Sequence, residues 1–261
     1  MITLSRLIGF CLLLSACGQT ETTQSKSSNL EAPVSGYTFL QPETQRLQDD
    51  EFENPGYLWV EGGASLFADT SHGAPACQSC HTGDEALEAA ATRYPDIDAK
   101  TGALLNLEGR INTCRERHQN LPALPYESED LLALTAYVAS LSKGLAIQPS
   151  QNPRIEPHVT NGRDYFFTKR GHMNLSCAQC HNDNWGKQLR GDTISQGHGN
   201  GFPAYRLEWQ TMGSLHRRLH DCDLGVRAQP MELGSQAYLE VEAYLARRAA
   251  GLEIETPAVR R

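Results

Sequence analysis

The sequence predicts a mainly α-helical protein built as two similar domains in tandem, and three observations carry that expectation. A five-residue motif, Cys77-Gln78-Ser79-Cys80-His81, returns as Cys177-Ala178-Gln179-Cys180-His181 one hundred residues later. Superposing the motifs also sets Gly62 on Gly162 and Phe67 on Phe167, so a helix-like segment with an aromatic precedes each at the same distance. Each half then closes on a helix with a serine cap. Ser128 stands ahead of Leu131, Leu132, Leu134, Val138 and Leu141, ending by Gly144; Ser235 stands ahead of Tyr238, Val241, Tyr244 and Leu245, ending by Gly251. The order helix, cysteine-histidine loop, irregular middle, helix therefore occurs twice, and 261 residues leave room for two cores.

Taken in order, residues 1–16 read as an export signal, with Arg6 ahead of an apolar run at 7–14 that is too short to span a bilayer. The run ends in Leu14-Ser15-Ala16-Cys17, which resembles a bacterial lipobox, in which Cys17 is lipidated and becomes the first residue. An ordinary signal peptide cut nearby is the alternative, and both export the chain. Residues 17–36 are expected to form a flexible tether, since 18–30 are rich in Thr, Ser and Gln and poor in apolar side chains. The N-terminal domain is placed at 37–148, entered through residues 39–60. Residues 149–157 are expected to be a linker, because Pro149, Pro153 and Pro157 disfavour helix or central strand, and the C-terminal domain is placed at 158–261. A net charge of −8 with no cluster of Lys and Arg argues against a nucleic-acid partner.

Two cysteines two residues apart and followed at once by histidine form the attachment sequence for c-type haem: both sulfurs bond the haem edge and the histidine reaches the iron. Zinc ribbons also use paired cysteines, but their pairs lie roughly 15–20 residues apart and need no following histidine. Two covalent haems are therefore expected, one on Cys77 and Cys80 with His81 on its iron, one on Cys177 and Cys180 with His181, and the domains read as small cytochrome c domains. Export agrees, since c-type haem is attached outside the bacterial cytoplasm.

Of eight cysteines, Cys114 and Cys222 remain without a role. What fills the second axial position of each iron decides between electron transfer and chemistry. No methionine lies between Met1 and Met173, so the first haem has Cys114, His118 and His72 as candidates. The second has Cys222, Met212, Met231, His216 and His220. The repeat favours the cysteines, which lie 108 residues apart against one hundred for the motifs; a Cys114 to Cys222 disulfide is the alternative in an oxidising compartment. A thiolate ligand would lower the potential and keep a sulfur anion beside a redox centre. If residues 211–221 are helical, Arg218 sits one turn before Cys222 on the same face, where its guanidinium could hold a sulfur oxyanion. The alternative is that Arg217 and Arg218 are solvated surface charges.

At these residues the chain resembles the SoxA family, the dihaem subunits of the SoxAX cytochromes of bacterial thiosulfate oxidation. The resembling stretches are Asn54-Pro55-Gly56, both haem motifs, Leu107-Glu108-Gly109-Arg110-Ile111-Asn112-Thr113-Cys114-Arg115, and Phe202-Pro203-Ala204-Tyr205-Arg206-Leu207-Glu208-Trp209-Gln210 running into Cys222. The resemblance implies that His81 and Cys114 ligate the first haem and His181 and Cys222 the second, that Cys222 is the catalytic sulfur carried as a persulfide, and that Arg218 binds substrate. It implies an L-cysteine S-thiosulfotransferase that conjugates thiosulfate oxidatively to a cysteine thiol of a SoxYZ-like carrier protein. The implied partners are a monohaem SoxX-like cytochrome c, forming a heterodimer, and a soluble cytochrome c as acceptor, in the periplasm. A lipid anchor at Cys17 would depart from the family. The competing functions are a dihaem electron carrier without sulfur chemistry and a thiosulfate dehydrogenase that forms tetrathionate.

Overall fold

A computed structural model describes residues 32–83 and 87–261. The export signal and Cys17 lie outside the described residues. Helix α1 (Pro42–Asp49) leads to α2 (Tyr57–Phe67); a short hairpin of β1 (Asp96–Ile97) and β2 (Leu104–Leu105) precedes α3 (Leu107–Cys114) and α4 (Glu129–Ser140). The second half runs α5 (Glu156–Phe167), α6 (Cys177–His181), a hairpin of β3 (Gln188–Leu189) and β4 (Asp192–Thr193), β5 (Ala204–Arg206), β6 (Thr211–Gly213), α7 (Leu215–Gly225), α8 (Gln236–Arg248) and β7 (Ala258–Arg260).

In each half the helix ahead of the haem motif crosses the last helix, α2 on α4 and α5 on α8. The Ser128 hydroxyl accepts from the Leu131 N–H and so opens α4, whose Leu131, Leu132, Leu134 and Val138 are buried. The crossings need glycine. A Cβ at Gly63 would lie 2.0 Å from the Ala133 carbonyl oxygen, and one at Gly162 would lie 1.9 Å from that of Glu240. Gly63, not Gly62, is thus the counterpart of Gly162, and buried Phe67 matches buried Phe166, while Phe167 is exposed. The fixed spacing misses by one residue here, because the second half has one residue more between the crossing glycine and its haem motif.

The proline-rich stretch behaves differently from the expectation. Pro153–Ile155 forms a 3-10 turn and Pro157 falls in the first turn of α5, where a missing N–H costs nothing. Ile155 packs with Ile97, Leu104, Leu239 and Ala243, which ties the halves together. The approach to α2 also departs from a simple lead-in to the first domain: α1 lies along β7 near the chain's end. Gln48 Oε1 accepts the Val259 N–H at 3.1 Å, and Asn54 Nδ2 donates to the Pro257 carbonyl at 2.9 Å. The sheet order is β6-β5-β7, with β7 parallel to β5, so Gln48 covers the Val259 N–H on the outer edge of β7.

A buried polar cluster joins α3, α7 and α8. His216 Nε2 lies 3.0 Å from Glu242 Oε2, which also accepts from Asn106 Nδ2 at 3.0 Å, and the Tyr126 ring stacks on His216. Glu108 faces the same cluster and, with Glu242, lines a cavity of about 70 Å³ between the halves.

Candidate functional site

The second haem motif is held by its own capping. Ser176 Oγ accepts from the Gln179 N–H and Gln179 Oε1 accepts from the Ser176 N–H at 2.9 Å, a reciprocal pair that opens α6. Cys177 and Cys180, three positions apart, then share a side of one short helix, with His181 following. His181 Nδ1 donates to the Ser195 carbonyl at 2.8 Å, which fixes the ring and leaves the Nε2 lone pair for a metal. Gly197, with φ of +73°, closes over that ring; a Cβ there would lie 2.8 Å from His181 Cγ. The first motif is looser: Cys77–Ser79 is one 3-10 turn without a side-chain cap, and the His81 ring lies 6.2 Å from that of Phe67.

Cys222 comes from the other side. Residues 211–213 are strand rather than helix, because Met212 is fully buried against Leu132 and Ala136 of the first half. Helix α7 starts only after Ser214, whose Oγ accepts from the Arg217 N–H at 3.1 Å and whose own N–H donates to Glu127 Oε1 at 3.0 Å. Leu215 and Leu219 anchor α7 on Phe166, Ala178 and Leu245. Arg218 and Cys222, one turn apart, both lie half-buried on this helix. His181 hydrogen-bonds the Cys222 thiol, so the two side chains expected to flank one iron face each other. Burial pushes that thiol up, but Arg218, the His181 bond and charge, and Arg206 outweigh it and bring the thiol down to about 7. Burial instead pushes the Cys177 thiol up to about 11 and raises that of Cys180. Cys222 is therefore the thiol most disposed to be a thiolate and a metal ligand, while burial disfavours the thiolate at Cys177 and Cys180. This donor set fits a c-type haem: two thiols on one turn, an oriented imidazole and a facing thiolate.

The first half repeats the plan on α3. Asn106 caps it by accepting from the Gly109 N–H at 2.9 Å, as Ser214 caps α7, and Arg110 precedes Cys114 as Arg218 precedes Cys222. Cys114 lies close enough to Cys77 for their charges to interact. The arginines differ in company. Arg110 Nη1 is 3.2 Å from Asp98 Oδ1, and Arg117 binds both oxygens of Asp98 at 2.9 and 2.7 Å. Arg218 has no carboxylate within ion-pair distance among the described residues.

The remaining candidates are occupied elsewhere. Met212 is core, His216 belongs to the Glu242 cluster, His220 lies 3.9 Å from Asp221, and Met231 is exposed. His72 is exposed with Nε2 3.3 Å from Asp69, and His118 is exposed. The six described cysteines are free thiols, so Cys114 and Cys222 are not joined. Sequence reasoning missed Arg206 as a neighbour of Cys222. It stands within the stretch 202–210 that marked the resemblance, but only the β5–β6 pairing carries it toward α7.

The model of the SoxA/TsdA cytochrome c domain family matches residues 62–147 and 161–254. Among curated relatives, the L-cysteine S-thiosulfotransferase subunit SoxA of Pseudaminobacter salicylatoxidans is 34% identical over 87% of this chain and 80% of its own length. That of Rhodovulum sulfidophilum is 34% identical over 87% of this chain and 79% of its own. The crystal structure of SoxXA from P. pantotrophus superposes with a TM-score of 0.83 at 31% identity, covering 88% of this chain and 87% of that one.

Proposed function

Because this chain belongs to the SoxA family of cytochromes c, we propose that it holds two c-type haems and joins thiosulfate to a carrier-protein thiol at Cys222. It is a subunit of a thiosulfate-oxidising L-cysteine S-thiosulfotransferase. The observation that carries the site assignment is Cys222 one turn after Arg218 on α7, with His181 hydrogen-bonded to its thiol. Cys77 and Cys80 would hold one haem with His81 and Cys114 on its iron; Cys177 and Cys180 would hold the other with His181 and Cys222. When bound, haem supplies an electron acceptor beside the sulfur.

The chain's own residues account for the rest. Thiosulfate and a thiolate are both anions and repel; Arg218 offsets that repulsion by taking a sulfonate oxygen, and it is available to do so because no carboxylate among the described residues neutralises it. A bond forms between the terminal sulfur of thiosulfate and the sulfur at Cys222, and two electrons leave to the redox partner. The carrier thiolate then attacks the thiosulfate-derived sulfur, releasing the sulfur at Cys222 and leaving the carrier with a bound S-thiosulfonate. Arg110, tied to Asp98, offers the first haem no such function.

The partners that complete this reading are a monohaem SoxX-like cytochrome c bound as a heterodimer, a SoxYZ-like carrier and a soluble cytochrome c acceptor. The family supports the first through the SoxXA complex of P. pantotrophus. The leader supports a periplasmic protein, and Leu14-Ser15-Ala16-Cys17 supports a lipid anchor at Cys17. The test is Cys222→Met: it is expected to keep both haems, counted by intact mass, and to lose conjugation. Full turnover in that variant would remove Cys222 from the chemistry.

A further inference from the structure

Arg206 ends β5, the middle strand of its sheet, and only 4% of the residue is exposed. A charge so buried is stable only where partners satisfy it. Its partners are few. Nη2 donates to Glu208 Oε2 at 2.8 Å, and the guanidinium lies 4.7 Å from the centre of the Trp209 ring. Nε is buried and has no hydrogen-bond partner among the described residues. Glu208 is itself 54% exposed, so much of its charge is spent on solvent.

The β5–β6 hairpin docks on the helix of Cys222. Trp209 Nε1 donates to Asp221 Oδ2 at 2.9 Å, and Arg217 lies 4.3 Å from the same ring. Through that docking Arg206 comes within electrostatic reach of Arg218 and Cys222. Burial first, and then the Arg218 charge, make its protonated form less favourable than usual, yet it remains a cation at neutral pH. Two guanidiniums that repel each other thus both act electrostatically on one half-buried sulfur, and one of them has a buried N–H without an acceptor among the described residues. One anionic oxygen would answer both.

We propose that Arg206 is a second anion-holding residue of the Cys222 site, its Nε–H and Arg218 together gripping a sulfonate or carboxylate oxygen beside the sulfur. The oxygen belongs either to thiosulfate or to a haem carboxylate. The proposal rests on the reading of Cys222 as the sulfur site, and equilibrium binding judges it independently of turnover.

The test uses the haem-loaded chain in complex with its monohaem partner. Thiosulfate affinity is measured by calorimetry, KM and kcat in turnover, and the midpoint potential of the haem by titration. Arg206→Gln is expected to weaken thiosulfate binding and raise KM about ten- to hundred-fold, the effect of losing a charge-assisted hydrogen bond, with kcat changed less and the potential unmoved. A shifted potential with unchanged affinity would assign the same N–H to the haem carboxylate. Unchanged affinity together with an unchanged potential would overturn the proposal. Should Arg206→Gln fail to fold, Glu208→Ala, a change at an exposed side chain, releases Nη2. It is expected to tighten thiosulfate several-fold or move the potential, and no change in either would count against Arg206. If Cys222→Met retains full turnover while Arg206→Gln still loses affinity, the sulfur reading fails and the anion site stands.

Discussion

At Cys222 burial and charge oppose each other, and Arg218 is the largest of the charges that decide the outcome. Replacing Arg218 with alanine removes a guanidinium that no carboxylate among the described residues shares. The half-saturating thiosulfate concentration is expected to rise about ten- to hundred-fold with haem absorption unchanged, and an unchanged value would take Arg218 out of substrate binding. Arg110 makes the opposite case. Its charge is already taken by Asp98, so Arg110→Ala is expected to leave that concentration where it is. The turn that gathers Cys177, Cys180 and His181 was legible in the sequence because the motif itself fixes their spacing along the chain. Arg218 was legible for a related reason, since one helical turn relates it to Cys222. Arg206 was not: sixteen residues separate it from Cys222, and only strand pairing and the Trp209 to Asp221 bond relate them.

Among the elements, the two helix crossings set the frame into which the haem motifs fit. Gly162→Ala would place a methyl 1.9 Å from the Glu240 carbonyl, and Gly63→Ala would place one 2.0 Å from that of Ala133. Each is expected to spread its helix pair and cost about 1–3 kcal/mol in urea denaturation, and wild-type midpoints would contradict the crossing. Asp98 secures α3 in a different way. The Arg117 bond, then that of Thr101, hold its carboxyl far below the usual range, so its contribution is present above ordinary carboxylate values and fades as the pH falls through and below them. Asp98→Asn is therefore expected to lower the unfolding midpoint at neutral pH and to differ less from the parent in acid; equal differences at both would refute the linkage. The opening of α4 was legible because a serine cap and apolar periodicity are local signals; Ser235 also stands at the start of α8, but its hydroxyl makes no capping bond there. Strands of two or three residues carry no such period, so the three-stranded sheet, and with it the strand at 211–213, went unread. The slip from Gly63 to Gly62 arose because one inserted residue is invisible to a fixed spacing.

Across the whole molecule the two halves share buried groups, which the repeat alone could not foretell. Glu108 of α3 and His216 of α7 occupy matching places in the two halves and meet Glu242 at the interface. Burial, then the charge of Glu242, push Glu108 up to about 7 from an ordinary 4.5. Burial pulls His216 down, but its bond to Glu242 and the surrounding carboxylates outweigh that and raise it. Both groups have raised values, so each contributes stability at low pH that is lost as the pH rises through its folded value; for Glu108 the window is 4.5 to about 7. The urea midpoint is expected to fall between about pH 5 and about pH 8 more steeply in the parent than in Glu108→Gln, and equal slopes would exclude the cluster as the cause. Two domains and their order were legible from the motif repeat. That α1 would lie on the last strand and Met212 within the first half's core was not, because such contacts join residues far apart in sequence.

The central claim, a sulfur-conjugating site at Cys222, is tested most directly by following the mass of a carrier protein with one free cysteine. The carrier is mixed with thiosulfate, oxidised cytochrome c, the monohaem partner and this chain. The carrier is expected to gain the mass of one thiosulfate as two equivalents of cytochrome c are reduced, and Cys222→Met is expected to abolish both. Cytochrome c reduction with the carrier's mass unchanged would contradict it.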